Sequence, residues 1–178
     1  RRLFTRRIGE GGWVLLCSAS RTAEEEKQVH KIMVLNGPNL NLIGVREPDV
    51  YGTVTLEQIK QKMLDLAKIY GVELEFHQSN HEGELIDIIQ GCRGKVDCII
   101  INAGGLTHYS VSLHDALRAV EVPVIEVHMT NIYAREEFRH RSLISPVASG
   151  GIFGFGSMSY YLALEAAVEL LQNRQEKS

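Results

Sequence analysis

Residues 34–52 carry the sequence VLNGPNLNLIGVREPDVYG, in which an apolar run gives way to a long polar loop. The apolar residues 32–35 predict a buried strand, which ends at the turn-forming NGPN sequence of residues 36–39. The next helix begins with a capping-box pattern at Thr55 to Gln58. Open α/β sheets bind ligands at the carboxyl ends of their strands, and structureless loops longer than about 12 residues are typically lids or disordered. The glycine, proline and polar residues of this loop favour a lid.

Strand and helix patterns alternate along the rest of the chain. Apolar strand patterns occur at residues 72–76, near a sheet edge, and at 96–101, 123–127 and 146–148. Helical spacing occurs at residues 56–70, 85–89, 111–120 and 157–171, and a glycine-rich loop at 150–156 precedes the last helix. The alternation predicts an α/β chain with a parallel sheet and right-handed crossovers. Its size suits a flavodoxin-like doubly wound sheet of five parallel strands in a single domain, residues 31–178.

Length and composition set the broad class. The chain has 178 residues, of which 44% are hydrophobic and 23% charged, values typical of one soluble globular domain. The net charge of −3 favours neither a nucleic-acid partner nor a membrane surface, and no apolar run approaches the roughly 20 residues that span a bilayer. The three cysteines lack metal spacing, which predicts a reducing, cytoplasmic compartment and no metal site. Cys98 lies in an apolar run and is expected to be buried.

Residues 1–30 differ from the rest of the chain because arginines dominate their charge. We expect an N-terminal extension that is disordered or loosely docked, with an organelle transit peptide as the alternative. A third hypothesis is that residues 1–28 are not translated natively. The codons of Glu24 to Glu26 could resemble a bacterial ribosome-binding site, and Val29 could be encoded by a GTG start codon. The intact mass of the native protein would decide between these interpretations.

Polar residues gather where three of the apolar strands end. The three clusters are Asn36 with Asn39, Asn102 with His108, and Glu126 with His128. Because the carboxyl ends of parallel strands share one edge of the sheet, we expect the clusters to converge on one crevice. Any one of them alone would be weak support for a site, since a single loop histidine is more often structural.

Two pairs of residues suggest acid–base chemistry. Glu126 and His128 are two positions apart, so in a strand they share a face and the carboxylate can hydrogen-bond the imidazole. This contact favours a protonated ring suited to general acid catalysis, although the pair could instead only stabilise the strand end. Arg46 and Tyr51 lie on the predicted lid, where a nearby guanidinium favours the tyrosinate. The alternative is an exposed Tyr51 that packs against the lid.

Further residues could bind an anion. Backbone N–H groups of His128, Met129 and Thr130 could hold a carboxylate at the turn after the strand. Arg135 and Arg139 would share one face if their segment is helical, and they could meet an anion or the lid. A solvated basic face is the alternative. The glycine-rich loop at 150–156 matches neither a dinucleotide nor a phosphate-loop motif, so close packing of strand and helix explains it better.

The motifs together strongly resemble the type II 3-dehydroquinate dehydratases. The matching segments are LNGPNL at 35–40, REP at 46–48, YG at 51–52, NAGGLTH at 102–108, IEVH at 125–128 and NIYAREEFR at 131–139. The likeness covers about residues 31–172 and keeps the order of the motifs. It implies the elimination of water from 3-dehydroquinate through an enolate, without metal, cofactor or Schiff base. It also implies a role in the shikimate pathway of aromatic amino acid biosynthesis or in quinate breakdown.

The resemblance also implies residue roles. Tyr51 would be the base, Arg46 would keep it ionised, Asn39 would position a water that stabilises the enolate, and His128 would be the acid, oriented by Glu126. The substrate's hydroxyls would be held by Asn102, His108 and Arg139, and its carboxylate by the backbone of Met129 and Thr130. Asp115 would reach the site of a neighbouring subunit in a homododecamer built as a tetramer of trimers.

Two other classes of protein compete with this interpretation. A flavodoxin-like binding module for a nucleotide or flavin would need a phosphate loop after the first strand, where this chain has NGPN instead. A purely structural subunit would leave the Glu126–His128 and Arg46–Tyr51 pairs without a purpose.

Overall fold

Five parallel strands form the sheet on which the chain is built. The fold is given by a computed structural model, which describes residues 6–8, 12–14, 29–44 and 54–175. Two short strands, β1 (Arg6–Ile8) and β2 (Gly12–Val14), pair antiparallel in a sheet of their own. The main sheet contains β3 (Lys31–Asn36), β4 (Glu73–Gln78), β5 (Cys98–Asn102), β6 (Val124–His128) and β7 (Gly150–Phe153). Its order is β4-β3-β5-β6-β7 with every neighbour parallel. This is the flavodoxin-like doubly wound order, so the predicted fold and the edge position of β4 are confirmed.

Helices cover both faces of the sheet. They are α1 (Leu56–Tyr70), α2 (Glu82–Gly91), α3 (Val111–Ala119) and α4 (Met158–Gln175). One buried cluster joins α1 and α4 to one face of the sheet, and a second joins α2 and α3 to the other. Alternate residues of the central strands therefore enter different cores, which explains their continuous apolar runs. Cys98 is fully buried, as predicted, and burial raises the pKa of its thiol to about 12.

Both ends of α1 lie where the sequence pattern predicts them. The hydroxyl of Thr55 accepts the N–H of Gln58, and the side chain of Gln58 accepts the N–H of Thr55, so the predicted capping box is confirmed. Gly71 ends the helix with a φ of 69°, a left-handed conformation that glycine adopts without steric cost. These two ends fix where α1 begins and where the chain turns toward β4.

The prediction of a fifth strand at residues 146–148 is wrong. Residues Ser145–Val147 form a short 3-10 turn, and the strand β7 lies at Gly150–Phe153, inside the predicted glycine-rich loop. Pro146 has no N–H and a fixed φ, which suits the first turn of a helix. The glycines of β7 hide its strand pattern. A Cβ on Gly151 would lie 2.3 Å from the ring of Phe153 in the same strand, so the close packing of strand against helix stays a prediction. In the described part of the chain, no helix has the length and apolar character needed to cross a membrane.

Candidate active site

A cavity lies at the carboxyl edge of the sheet, where β3, β5 and β6 end. Eight of the predicted site residues line it: Asn39, Asn102, His108, His128, Met129, Thr130, Arg135 and Arg139. The three strands are neighbours in the sheet, so their terminal loops meet at this edge. Apolar side chains that were not predicted from the sequence also line the cavity, among them Leu40, Leu42, Ile43 and Ile132. Nothing in the sequence distinguishes these side chains from ordinary core residues.

Backbone contacts bring the first two strand ends together. The N–H of Gly37 donates to the carbonyl of Asn102 over 2.8 Å, which extends the pairing of β3 and β5 past the end of β3. A Cβ on Gly37 would lie 2.3 Å from the carbonyl oxygen of Ala103, so only glycine permits this approach. Asn39 follows with a φ of 66°, and its N–H donates to the side chain of Asn80 over 2.9 Å. The start of the long loop is therefore held against two other segments.

Glu126 and His128 form a buried hydrogen-bonded pair at the end of β6. The Nε2–H of His128 donates to Glu126 Oε1 over 2.8 Å, and Glu126 is 0% exposed. The hydroxyls of Ser142 and Ser145 also donate to this carboxylate. Burial alone would raise the pKa of Glu126, but the hydrogen bonds from His128, Ser145 and Ser142 outweigh it and hold the pKa below its ordinary value. The carboxylate is thus ionised at neutral pH, and the Nδ1 atom of His128 is left for the cavity.

His108 lies beside His128 in the cavity. Their rings are nearly parallel, at 19°, with centroids 6.3 Å apart. The Nδ1–H of His108 donates to the carbonyl of Arg141 over 2.9 Å, which leaves Nε2 as the acceptor of a neutral ring. Burial lowers the pKa of His108, and repulsion from His128 and Arg139 lowers it further, against the effect of Arg141 and Glu126. His108 is therefore a neutral hydrogen-bonding group rather than a cation.

Asn102 is held by a residue that the sequence analysis missed. Its Nδ2–H donates to the hydroxyl of Tyr160 over 2.9 Å, and its Oδ1 accepts the N–H of Gly104 over 3.2 Å. The Tyr160 hydroxyl donates in turn to Oδ1 of Asn36 over 2.6 Å. Burial raises the pKa of Tyr160, so the hydroxyl stays protonated. Tyr160 is 58 residues from Asn102 in sequence, and no local pattern could have identified it.

The basic segment after β6, residues 132–139, carries Arg135 and Arg139 and is not a continuous helix. Two short 3-10 turns, Ile132–Ala134 and Glu137–Arg139, flank Arg135, whose backbone is extended. Arg135 and Arg139 therefore do not share a helix face, although both line the cavity. Nε of Arg139 donates to Glu136 over 2.8 Å, and Nη1 of Arg135 donates to the hydroxyl of Thr130 over 3.4 Å. The two guanidinium groups share the one carboxylate of Glu136, which lies 3.4 Å from Nε of Arg135, so this side of the cavity keeps a net positive charge.

Four of the predicted site residues are not among those that line the cavity, and one of them, Glu126, lies buried behind His128. Arg46 and Tyr51 lie outside the described residues. Asp115 is exposed on α3 and does not line the cavity. Within residues 29–44 and 54–175, no group of three or more histidine, cysteine, aspartate or glutamate side chains could hold a metal ion.

A buried carboxylate–imidazole pair at the carboxyl edge of a parallel α/β sheet is an arrangement typical of enzymes that use acid–base chemistry. A family profile described as class II dehydroquinase matches residues 30–168. A 3-dehydroquinate dehydratase of Acaryochloris marina is 54% identical over 143 residues, which are 80% of this chain and 96% of that protein. The one of Pelotomaculum thermopropionicum is 56% identical over 140 residues, 79% of this chain and 97% of that protein.

Solved structures agree with this match. The type II dehydroquinase of Butyrivibrio crossotus has a TM-score of 0.76 at 43% identity, covering 78% of this chain and 97% of its own. The enzyme of Propionibacterium acnes has a TM-score of 0.75 at 37% identity, with coverages of 78% and 96%. The chain belongs to the class II dehydroquinase family, and it is an enzyme of the hydro-lyase class.

Proposed function

We propose that the chain eliminates water from 3-dehydroquinate to give 3-dehydroshikimate through an enolate intermediate. The observation that carries the proposal is the Glu126–His128 pair at a cavity with further polar side chains, in a chain of this family. Loss of water next to a ketone needs a base for the α-proton and an acid for the departing hydroxyl. The reaction serves aromatic amino acid biosynthesis through the shikimate pathway or the breakdown of quinate.

In the proposed mechanism, Tyr51 removes the proton next to the ketone. Arg46 keeps the Tyr51 hydroxyl ionised, because a neighbouring positive charge favours the tyrosinate. Electrons from the broken C–H bond move to the carbonyl oxygen, and a water held by Asn39 stabilises the resulting enolate. When the enolate collapses, the C–O bond breaks and His128 protonates the leaving hydroxyl, which departs as water. Glu126 orients the ring and stabilises the imidazolium.

Other cavity residues would hold the substrate in place. Asn102, His108 and Arg139 would bind its hydroxyls, and the low pKa of His108 supports a neutral acceptor at Nε2. The backbone N–H groups of Met129 and Thr130, directly after β6, would bind its carboxylate. The positive charge of Arg135 would attract this anion or meet the loop of residues 45–53.

We also propose a cytoplasmic homododecamer, a tetramer of trimers in which Asp115 reaches the site of a neighbouring subunit. The exposure of Asp115 on α3 supports a contact with another chain. Light scattering during size-exclusion chromatography measures the assembly. Asp115→Asn should then lower activity in the assembled enzyme while leaving the mass of the complex unchanged.

Ultraviolet absorbance after addition of 3-dehydroquinate tests the reaction. We expect the enone signal to rise, both with EDTA present and after borohydride treatment. A lack of signal from a folded, assembled protein would contradict the proposal.

Tyr51→Phe should nearly abolish turnover with substrate binding retained. Arg46→Lys should also lower turnover, because an ammonium does not reproduce a planar guanidinium. Turnover at the wild-type rate in Tyr51→Phe would remove Tyr51 from the mechanism.

A further inference from the structure

We propose that Ser142 and Ser145 are positioning residues for the Glu126–His128 pair, and that residues 141–145 act as a strap that fixes both cavity histidines. The strap follows the basic segment and precedes β7. The inference rests on the proposed function, since it gives His128 the role of the acid. It adds a physical reason why this acid keeps one orientation and one ionised partner.

The hydrogen bonds of the Glu126 carboxylate provide the first argument. Oε1 accepts from Nε2 of His128 over 2.8 Å and from the Ser142 hydroxyl over 2.7 Å, and Oε2 accepts from the Ser145 hydroxyl. A buried carboxylate is costly unless it is paired and hydrogen-bonded. The strap supplies two of these three donors, so the charge of Glu126 depends on the strap as well as on His128.

The Ser142 hydroxyl has no freedom to point elsewhere. Its oxygen accepts the N–H of Ile144 over 3.0 Å and the N–H of Ser145 over 2.9 Å. A serine hydroxyl has two acceptor sites and one proton. With both acceptor sites occupied by backbone donors, the proton remains for Glu126. The turn of the strap therefore orients the Ser142 donor toward the carboxylate.

Backbone groups of the strap are hydrogen-bonded to Thr107 and to α3. The N–H of Leu143 donates to the carbonyl of Thr107 over 2.8 Å, and Nδ1–H of His114, on α3, donates to the carbonyl of Leu143 over 2.7 Å. The carbonyl of Arg141 accepts from Nδ1 of His108. One short segment thus acts on both histidines: Arg141 accepts from His108 directly, and Ser142 and Ser145 donate to the Glu126 carboxylate that accepts from His128.

The surroundings of the pair contain several other charged groups. His128 shares β6 with Glu126, and His108 comes from the turn after β5 and interacts electrostatically with both of them. Arg135 and Arg139 line the cavity from the segment after β6, and β7 contributes the uncharged ring of Phe153. None of these groups can replace the strap as a donor that touches Oε2 of Glu126 in the described structure.

Steady-state kinetics of Ser142→Ala and Ser145→Ala test the proposal. We expect kcat to fall about tenfold in each, a part of the 10²–10⁴ that general acid catalysis contributes, with KM within about twofold. The acidic limb of the kcat profile should move to higher pH, since Glu126 loses a donor and protonates earlier. Ser142→Thr, which keeps the hydroxyl, should restore most of the loss. Ser149→Ala, at a nearby exposed serine, is the matched control and should behave as wild type.

A double-mutant cycle separates positioning from a general structural effect. In a Glu126→Gln background, Ser142→Ala should cost little further kcat, because the group through which it acts is gone. An equal loss in both backgrounds, or a lower Tm with an unshifted acidic limb, would overturn the proposal. A crystal structure of the Ser142→Ala/Ser145→Ala protein gives a readout that does not depend on the reaction. A His128 ring that still lies 2.8 Å from Glu126 there would contradict the strap, whereas an inactive wild type would contradict only the proposed function.

Discussion

Nε2 of His128 lies 2.8 Å from Oε1 of Glu126, and both residues are buried at the carboxyl end of β6. They stand two positions apart in a strand, so their side chains project from the same face. This contact removes the carboxylate from solvent without leaving it unpaired. It also determines which imidazole nitrogen faces the cavity, and several expected outcomes depend on it.

Glu126→Gln should lower kcat about 10²-fold, because a neutral amide cannot stabilise the imidazolium of the acid. KM should change much less, since Glu126 is buried behind His128. Steady-state kinetics with 3-dehydroquinate measures both. The exposed Glu165 of α4 provides the matched control Glu165→Gln, which should keep the wild-type kcat. A Glu126→Gln enzyme with normal kcat and a raised KM would place the pair in binding rather than in proton transfer.

The stability of the fold should decrease as the pH falls, in two steps. The pKa of His108 is lowered in the folded state. The contribution of its neutral ring to the free energy of unfolding is therefore present above the ordinary histidine pKa of 6.5 and is lost as the pH falls below that value. The pKa of Glu126 is lowered from 4.5, so its contribution is lost only at more acidic pH. Urea unfolding at a series of pH values measures both steps. His108→Asn, which keeps an N–H donor for Arg141, should lose less stability than wild type in the first step.

Tyr160→Phe should destabilise the protein by about 1–3 kcal/mol, the cost of leaving buried polar groups unpaired. It removes the partner of Asn36 and Asn102 and leaves the ring in place. Urea unfolding gives the change in free energy, and Tyr161→Phe at the next, partly buried position is the control. Because Asn102 loses its orientation, KM for 3-dehydroquinate should also rise. Equal free energies of unfolding for the two variants would show that the Tyr160 hydroxyl makes no net contribution to stability.

Gly37→Ala should be destabilising by about 1–3 kcal/mol or more, the range for overpacked positions. The new Cβ would lie 2.3 Å from the carbonyl oxygen of Ala103, and a backbone atom cannot rotate away. Thermal unfolding compares it with Gly91→Ala at the end of α2, where a Cβ meets nothing within 4 Å. The Gly91 variant should be neutral or slightly more stable. A Gly37→Ala protein as stable as wild type would mean that the two strand ends can separate without cost.

Local patterns were sufficient to predict much of the fold and part of the site. Alternating strands and helices, the capping box and the Glu126–His128 contact depend on neighbours within four residues, so their spacing is visible in sequence. Strand β7 was missed because glycines carry no apolar side chain to mark its faces. Tyr160 and the serines of the strap act on residues far away in the chain. Their partners become apparent only once the sheet order is known.

The approach of the two strand ends also limits how the cavity can change. Pro38 and Gly104 line it, and a Cβ on Gly104 would lie 3.0 Å from the carbonyl oxygen of Pro38. A side chain at Gly37 or Gly104 would meet this neighbouring main chain, so neither position can be enlarged in a search for new ligand preferences. Laboratory evolution of the enzyme toward larger ligands should therefore collect its accepted changes at apolar side chains of the lining such as Leu42 and Ile132. The range of ligands that this scaffold can reach is then set by the exchangeable side chains of the cavity and not by its glycines.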